Sequence, residues 1–253
     1  PWDHRRLSAG SAAVIPLVLI PGHLCDARLY APQIAALPAD VELRIADTGR
    51  DATLFGMAER ILSDVPGRFM IAGLSLGGMV AMEAMAAAPD RVLGAGLWST
   101  DPLPASEKEV GWRAHMKKGV AAEGLDYFVG RFAANFYRHD AELSARLLPD
   151  STAMMLEAPL AMYLTQSDAL DTRRDMRQML DGWAGPVELA VGTEDRICPP
   201  APHHDLTARL PGAALTEIPG CGHISTLEAP EAVNVSLLRL IDRVRSSLAE
   251  GGR

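Results

Sequence analysis

The hexapeptide Gly73-Leu74-Ser75-Leu76-Gly77-Gly78 stands directly between an apolar run at 69–72 and a stretch of helical spacing that begins at 77. A chain that passes from strand to helix within so few residues must turn sharply, and such a turn strains the backbone of its central residue. Glycines on either side let strand and helix approach without side-chain clashes. The pattern predicts a buried strand, a tight turn with Ser75 at its tip, and a helix whose first free N–H, that of Leu76, lies beside the serine. The helix macrodipole favours negative charge at that point.

The same alternation extends along the chain. Short apolar runs at 17–20, 41–46, 69–72 and 92–98 read as strands buried on both faces, while 54–65 and 77–88 carry helical spacing, the second closed by Pro89-Asp90. Strand–helix repetition predicts a parallel sheet covered by helices. It resumes with a strand at 187–191, a helix at 201–210, a strand at 214–218 and an amphipathic helix at 232–248. Between these halves lies a long helical stretch with no convincing strand, entered through Asp101-Pro102-Leu103-Pro104 and left through Gly182-Trp183-Ala184-Gly185-Pro186. A core domain made of 1–100 and 184–253, interrupted by a helical cap at 101–183, is the expected organisation.

With 253 residues, 48% of them hydrophobic, the chain can bury a core of this size. A net charge of -8 and the lack of any Lys/Arg-rich run argue against a nucleic-acid partner. Arg5 and Arg6 followed by the apolar 12–20 run imitate a secretory signal, but the run ends in Pro21-Gly22-His23 with no A-x-A-like cleavage site, so a buried strand is the preferred reading. No other run approaches the roughly 20 apolar residues that span a bilayer, and no membrane partner is expected. Cys25, Cys198 and Cys221 are odd in number and widely spaced, which predicts neither a disulfide framework nor a zinc site and fits a reducing, cytoplasmic compartment. Pro1 as first residue is read as a sign of processing or trimming.

A serine is a poor nucleophile at neutral pH and needs a base. Among 7 histidines, His223 stands out, because Gly220-Cys221-Gly222-His223 forms a flexible turn between the last strand and the last helix. His203 and His204 fall at the start of a surface helix and His115 and His139 in the inserted stretch, where solvated or structural roles are expected; His4 gives no signal. A carboxylate must hold the other imidazole nitrogen. Asp195, in Gly192-Thr193-Glu194-Asp195-Arg196, gives the chain order Ser, Asp, His, with Glu194 and Asp101 as alternatives and Asp101 read as a cap at the hinge. For a second oxyanion donor the loop Pro21-Gly22-His23-Leu24 supplies the His23 N–H, with Leu24 left open.

Four motifs in this order, Pro21–His23, Gly73–Gly78, Gly192–Asp195 and Gly220–His223, resemble the α/β-hydrolase superfamily of the serine esterase and lactonase type. The resemblance implies a mostly parallel sheet of about seven to eight strands flanked by helices, with a helical cap inserted after the strand near Trp98. Only about 13 residues precede the first clear strand, so the usual opening hairpin is expected to be shortened or absent. The implied reaction is hydrolysis of a small carboxylic ester or lactone through an acyl-enzyme, without metal or cofactor. Thioester hydrolysis, carbon–carbon bond hydrolysis, perhydrolysis and a ligand-sensing role share the same residues. A serine at the turn disfavours the alkyl-halide branch, whose nucleophile is an aspartate. In the cap, Trp112, Tyr127, Phe128, Phe132, Phe136, Tyr137 and Tyr163, with six methionines from Met116 to Met179, predict a soft apolar ceiling for a substrate with an apolar portion. Core packing is the leading role for most of them; Arg113, Arg131 and Arg138 could instead bind a substrate carboxylate, but charged residues on inserted helices are read first as solvated faces. A homo-oligomer is compatible with the sequence.

Overall fold

Parallel strands need long crossovers, and each strand here is followed by helix. The structure, a computed structural model, describes residues 14–138 and 140–251. From β1 (Ile15–Ile20) the chain passes through a short 3-10 turn and α1 (Ala31–Ala36) to β2 (Val41–Ile45), then through α2 (Leu54–Asp64) to β3 (Phe69–Leu74) and through α3 (Leu76–Ala87) to β4 (Val92–Trp98). Five helices follow: α4 (Glu107–Glu123), α5 (Leu125–Phe132), α6 (Ala141–Leu156), α7 (Leu160–Asp171) and α8 (Met176–Met179). The sheet resumes with β5 (Val187–Gly192), α9 (Pro200–Arg209) and β6 (Ala213–Ile218), and the chain closes with α10 (Ser225–Glu228) and α11 (Pro230–Gly251).

All strand pairs are parallel, in the order β2-β1-β3-β4-β5-β6. The described residues form six strands, fewer than the seven to eight expected; the opening hairpin in question falls at 1–13, outside the described residues. A second expectation fails at β2. The apolar run predicts burial on both faces, yet the strand is half-buried along most of its length because it forms an edge of the sheet, as does β6 at the other. The central strands β3 and β5 are buried throughout.

Alternation explains the two cores. Leu17 and Leu19 of β1 face one side, where α11 presents Val233, Leu237, Leu240, Ile241 and Val244, while Val18 and Ile20 face the other, against α2 and α3. Helix α2 buries Leu54, Met57, Ala58 and Ile61, a stripe at i, i+3, i+4 and i+7, and begins at Thr53, whose side chain accepts from the Gly56 N–H. Helix α3 is buried almost all round and lies under the sheet edge where Ser75 emerges. Helix α4 starts on a full capping box between Ser106 and Glu109. The order of strands reverses between β1 and β3, which opens a crevice at their C-terminal ends, the place where open α/β sheets bind ligands. Among the described residues no helix is long and apolar enough to cross a membrane.

The α11 stripe carries one side of the core. Leu237 is fully buried in it, and Leu237→Ala is expected to cost about 3 kcal/mol of unfolding free energy, read from the urea midpoint at unchanged m-value.

Candidate active site

Ser75 occupies the turn between β3 and α3 at φ 58, ψ -119, a left-handed conformation that a side chain rarely adopts. Its neighbours make the turn possible. A Cβ on Gly73 would stand 2.2 Å from the Gly77 carbonyl carbon, and one on Gly77 would stand 1.9 Å from the Ile20 carbonyl oxygen, both backbone atoms that cannot yield. The Ser75 N–H donates to the Trp98 carbonyl at 3.0 Å, and the Ser75 carbonyl accepts from the Thr100 hydroxyl at 2.8 Å. Thr100 is held in turn by His203, whose Nε2 accepts the Thr100 N–H at 3.1 Å while Nδ1 meets the Pro199 carbonyl at 3.1 Å. Those contacts define a neutral imidazole with its proton on Nδ1. His203 is thus a buried brace of the serine turn, within the structural role expected of it but not on the surface.

The ends of β1 and β3 are tied by Tyr30, whose hydroxyl donates to the Ile20 carbonyl at 2.6 Å and accepts from the Leu74 N–H at 2.9 Å. This fixes the Gly22–Leu24 loop against the serine turn. Leu24 sits at φ 56, and its N–H is taken by Gln166 Oε1 at 2.8 Å. Among the described residues the N–H groups of His23 and Leu76 have no partner. Of the two donors left open in the loop, His23 is therefore the one available.

His223 and Asp195 come together from separate loops. His223 Nδ1 lies 2.9 and 3.0 Å from the two Asp195 carboxylate oxygens, and Asp195 Oδ1 also accepts from the Ile197 and Cys198 N–H groups at 2.9 Å each. Burial raises the Asp195 carboxyl, but the His223 imidazole and the two backbone donors outweigh it and hold the group below the ordinary carboxylate range. Glu194 is exposed, and Asp101 accepts from the Leu103 N–H in a local turn, so neither competes for His223. The His223 loop is positioned from the inserted helices: the Phe136 carbonyl accepts the N–H groups of both His223 and Ile224, at 2.7 and 2.9 Å.

Ser75, His23 and His223 line one cavity of about 570 Å³ beneath the inserted segment. Phe128, Phe132, Phe136 and Tyr163 supply apolar walls of the cavity and also pack in the core. None of the methionines of α4, α6, α7 or α8 lines it. The His23 ring stacks on Tyr163 at 5.6 Å and meets Phe128 edge-on at 5.3 Å. Burial drives this imidazole down to about 4. Cys25 and Cys198 also line the cavity, but burial pushes the Cys25 thiol up to about 12 and Cys198 well above its usual value, so both stay protonated and unreactive. His139 lies outside the described residues, as does His4.

The sequence profile of the alpha/beta hydrolase family matches residues 2–235. The chain belongs to the alpha/beta hydrolase family. This α/β-hydrolase is similar to the pimeloyl-[acyl-carrier protein] methyl ester esterase of Aromatoleum aromaticum, with 28% identity over 85% of this chain and 93% of that one. It is likewise similar to the enzyme of the same name from Edwardsiella ictaluri, with 26% identity over 89% of this chain and 93% of the relative. Among solved structures, an enol-lactonase from Burkholderia xenovorans superposes with a TM-score of 0.82 at 22% identity, covering 93% of this chain and 94% of that one. An esterase from Thermogutta terrifontis gives 0.81 at 21%, covering 91% and 90%.

Gln166, Thr100 and the Phe136 carbonyl carry no local sequence signal, since each acts on a partner far away in the chain. The two buried histidines make a measurable prediction. Burial lowers both His23 and His203 to about 4 from an ordinary 6.5, so the unfolded chain binds more protons between these values and stability falls as pH falls through that window. Each is expected to remove up to about 3 kcal/mol by pH 4 relative to neutral pH. Urea unfolding at stepped pH checks it, and replacing His203 with Gln should flatten part of the slope.

Proposed function

We propose that this α/β-hydrolase is a serine hydrolase of carboxylic esters, with Ser75 as nucleophile, His223 as general base, Asp195 as the carboxylate that orients His223, and the N–H groups of His23 and Leu76 as oxyanion hole. The observation that carries the reading is the buried Asp195–His223 pair facing the cavity into which the strained Ser75 turn projects. In the reaction His223 Nε2 takes the Ser75 proton as Oγ bonds to the ester carbonyl carbon. The resulting oxyanion lies between the two N–H donors. Collapse breaks the bond to the alcohol, which leaves with the proton from His223. Water, deprotonated by the same imidazole, then attacks the acyl carbon and restores Ser75. Asp195 holds the proton on Nδ1 so that Nε2 faces the serine, and stabilises the imidazolium.

The relatives named for methyl ester hydrolysis support an ester with a small alcohol, and the aromatic walls suit an acyl group with an apolar stretch. A lactone fits the same chemistry as an internal ester. The segment 101–183 acts in this reading as a cap on the core formed by 1–100 and 184–253. Three free, buried cysteines accord with a cytoplasmic setting.

Incubation with a fluorophosphonate followed by intact mass should give a single adduct on the wild type and none on Ser75→Ala. Turnover of p-nitrophenyl butyrate should fall by at least about a thousandfold in Ser75→Ala with an unchanged melting curve. Full turnover by that variant would falsify the assignment.

A further inference from the structure

Buried polar groups are normally hydrogen-bonded, and those that are not mark places where a partner is missing. Among the described residues, six buried side-chain polar atoms have no partner. Four of them, His23 Nε2, Arg113 Nη2, Ser167 Oγ and Arg173 Nε, belong to residues that line the Ser75 cavity. Their placement is built, not incidental. Arg113 reaches from α4 to α7, where Asp171 accepts from its Nε at 2.5 Å, and this anchor leaves Nη2 without a partner. Ser167 lies one turn before Asp171 on the same helix and one turn after Tyr163, on which His23 stacks. Arg113 and Ser167 are 6% and 1% exposed, far from the solvated face expected for a charged residue on an inserted helix.

Charge points the same way. The chain is acidic overall, with a net charge of -8, yet the cavity is lined by Lys108, Arg113, Arg131, Arg173 and Arg196 against Glu109 alone among acidic residues. Glu109 is already engaged by Arg173. Lys108, Arg131 and Arg196 are exposed at the cavity and have no acidic partner among the described residues. A basic cavity in an acidic protein draws an anion toward it and repels cations.

We propose that the α4–α7 wall, centred on Arg113 Nη2 and Ser167 Oγ, is a subsite for a terminal oxyanion of the substrate, so that the ester hydrolysed at Ser75 carries a carboxylate, as in the half-ester of a dicarboxylic acid. Arg113 donates to the oxyanion from a guanidinium held by Asp171, and Ser167 adds a hydroxyl donor. The aromatic walls cover the carbon chain between the two ends. The proposal rests on the assignment of Ser75 as nucleophile and adds the class of molecule that reaches it. A phosphate group offers the same recognition chemistry, and the test separates the two.

The experiment compares kcat/KM for the monomethyl esters of succinate, adipate and suberate with that for methyl esters of the matching neutral acids, and with a methyl ester ending in phosphate. Wild type is expected to prefer one carboxylate-terminated ester by at least about tenfold over its neutral counterpart, the preference shrinking at high salt. Arg113→Gln should bring that ratio close to one, and Ser167→Ala should lower it with the Arg113–Asp171 pair intact, so loss of folding in one variant does not decide the matter. Preference for the phosphate-terminated ester over the carboxylate would overturn the carboxylate assignment. Equal use of charged and neutral esters would overturn the subsite. Binding of monomethyl suberate and methyl octanoate to the Ser75→Ala protein, followed by calorimetry, reads the subsite independently of turnover: preferential binding of the charged ester with no hydrolysis by wild type would sink the Ser75 reading and leave the subsite standing.

Discussion

The Ser75 backbone at φ 58 is the constraint on which the site depends. A non-glycine residue holds such a conformation only when its surroundings leave it no alternative. Here they do so from several directions. Trp98 accepts its N–H, Thr100 donates to its carbonyl, and the close packing of Gly77 against Ile20 leaves no room for the turn to relax. Because Thr100 is itself fixed by His203, and β1 and β3 are bridged by Tyr30, the strain is shared among elements that come from four parts of the chain. In the proposed reaction the hydroxyl and the two free N–H groups would need no movement to keep their relation, which is the condition for effective electrostatic stabilisation of an oxyanion.

Acidic and basic groups in this molecule are handled in contrasting ways. Asp195 is buried but receives the His223 imidazole and two backbone donors, so its charge is fully met. Glu188, fully buried on β5, is met by Arg239 and Arg243 of α11 at 2.7 and 2.8 Å. These are the paired buried charges that physical chemistry requires. The cavity wall departs from the rule, with donors left unpaired where the polypeptide had acceptors elsewhere to offer.

The sheet, its parallel sense and the long helical interruption were legible because they rest on local patterns: β3 and β5 are short apolar runs buried on both faces, and α2 carries an apolar stripe of period 3.6. Strand burial at the edges was not legible, since β2 and β6 carry apolar residues like the central strands and only the order of strands makes them edges. The Ser75, Asp195 and His223 loops stand out in the sequence because glycines and strand ends mark them. What separates His23 from Leu24 lies outside the local sequence: Gln166 takes the Leu24 N–H from 142 residues away, and no local rule connects α7 to the β1 loop. Arg113 was misjudged for a related reason. On a helical wheel it is one more charged residue, and its burial comes from a neighbouring helix whose approach the wheel does not contain.

One carbonyl, that of Phe136, receives two consecutive N–H groups from the loop that carries His223. The helical insertion therefore does more than roof the cavity, because it furnishes the seat of the imidazole. Recombining this core with an insertion from another hydrolase is then not a free exchange of substrate preferences. A graft that shifts the backbone at this one point would arrive with the imidazole out of line, so an exchanged segment has to reproduce a position in space, whatever side chain it places there.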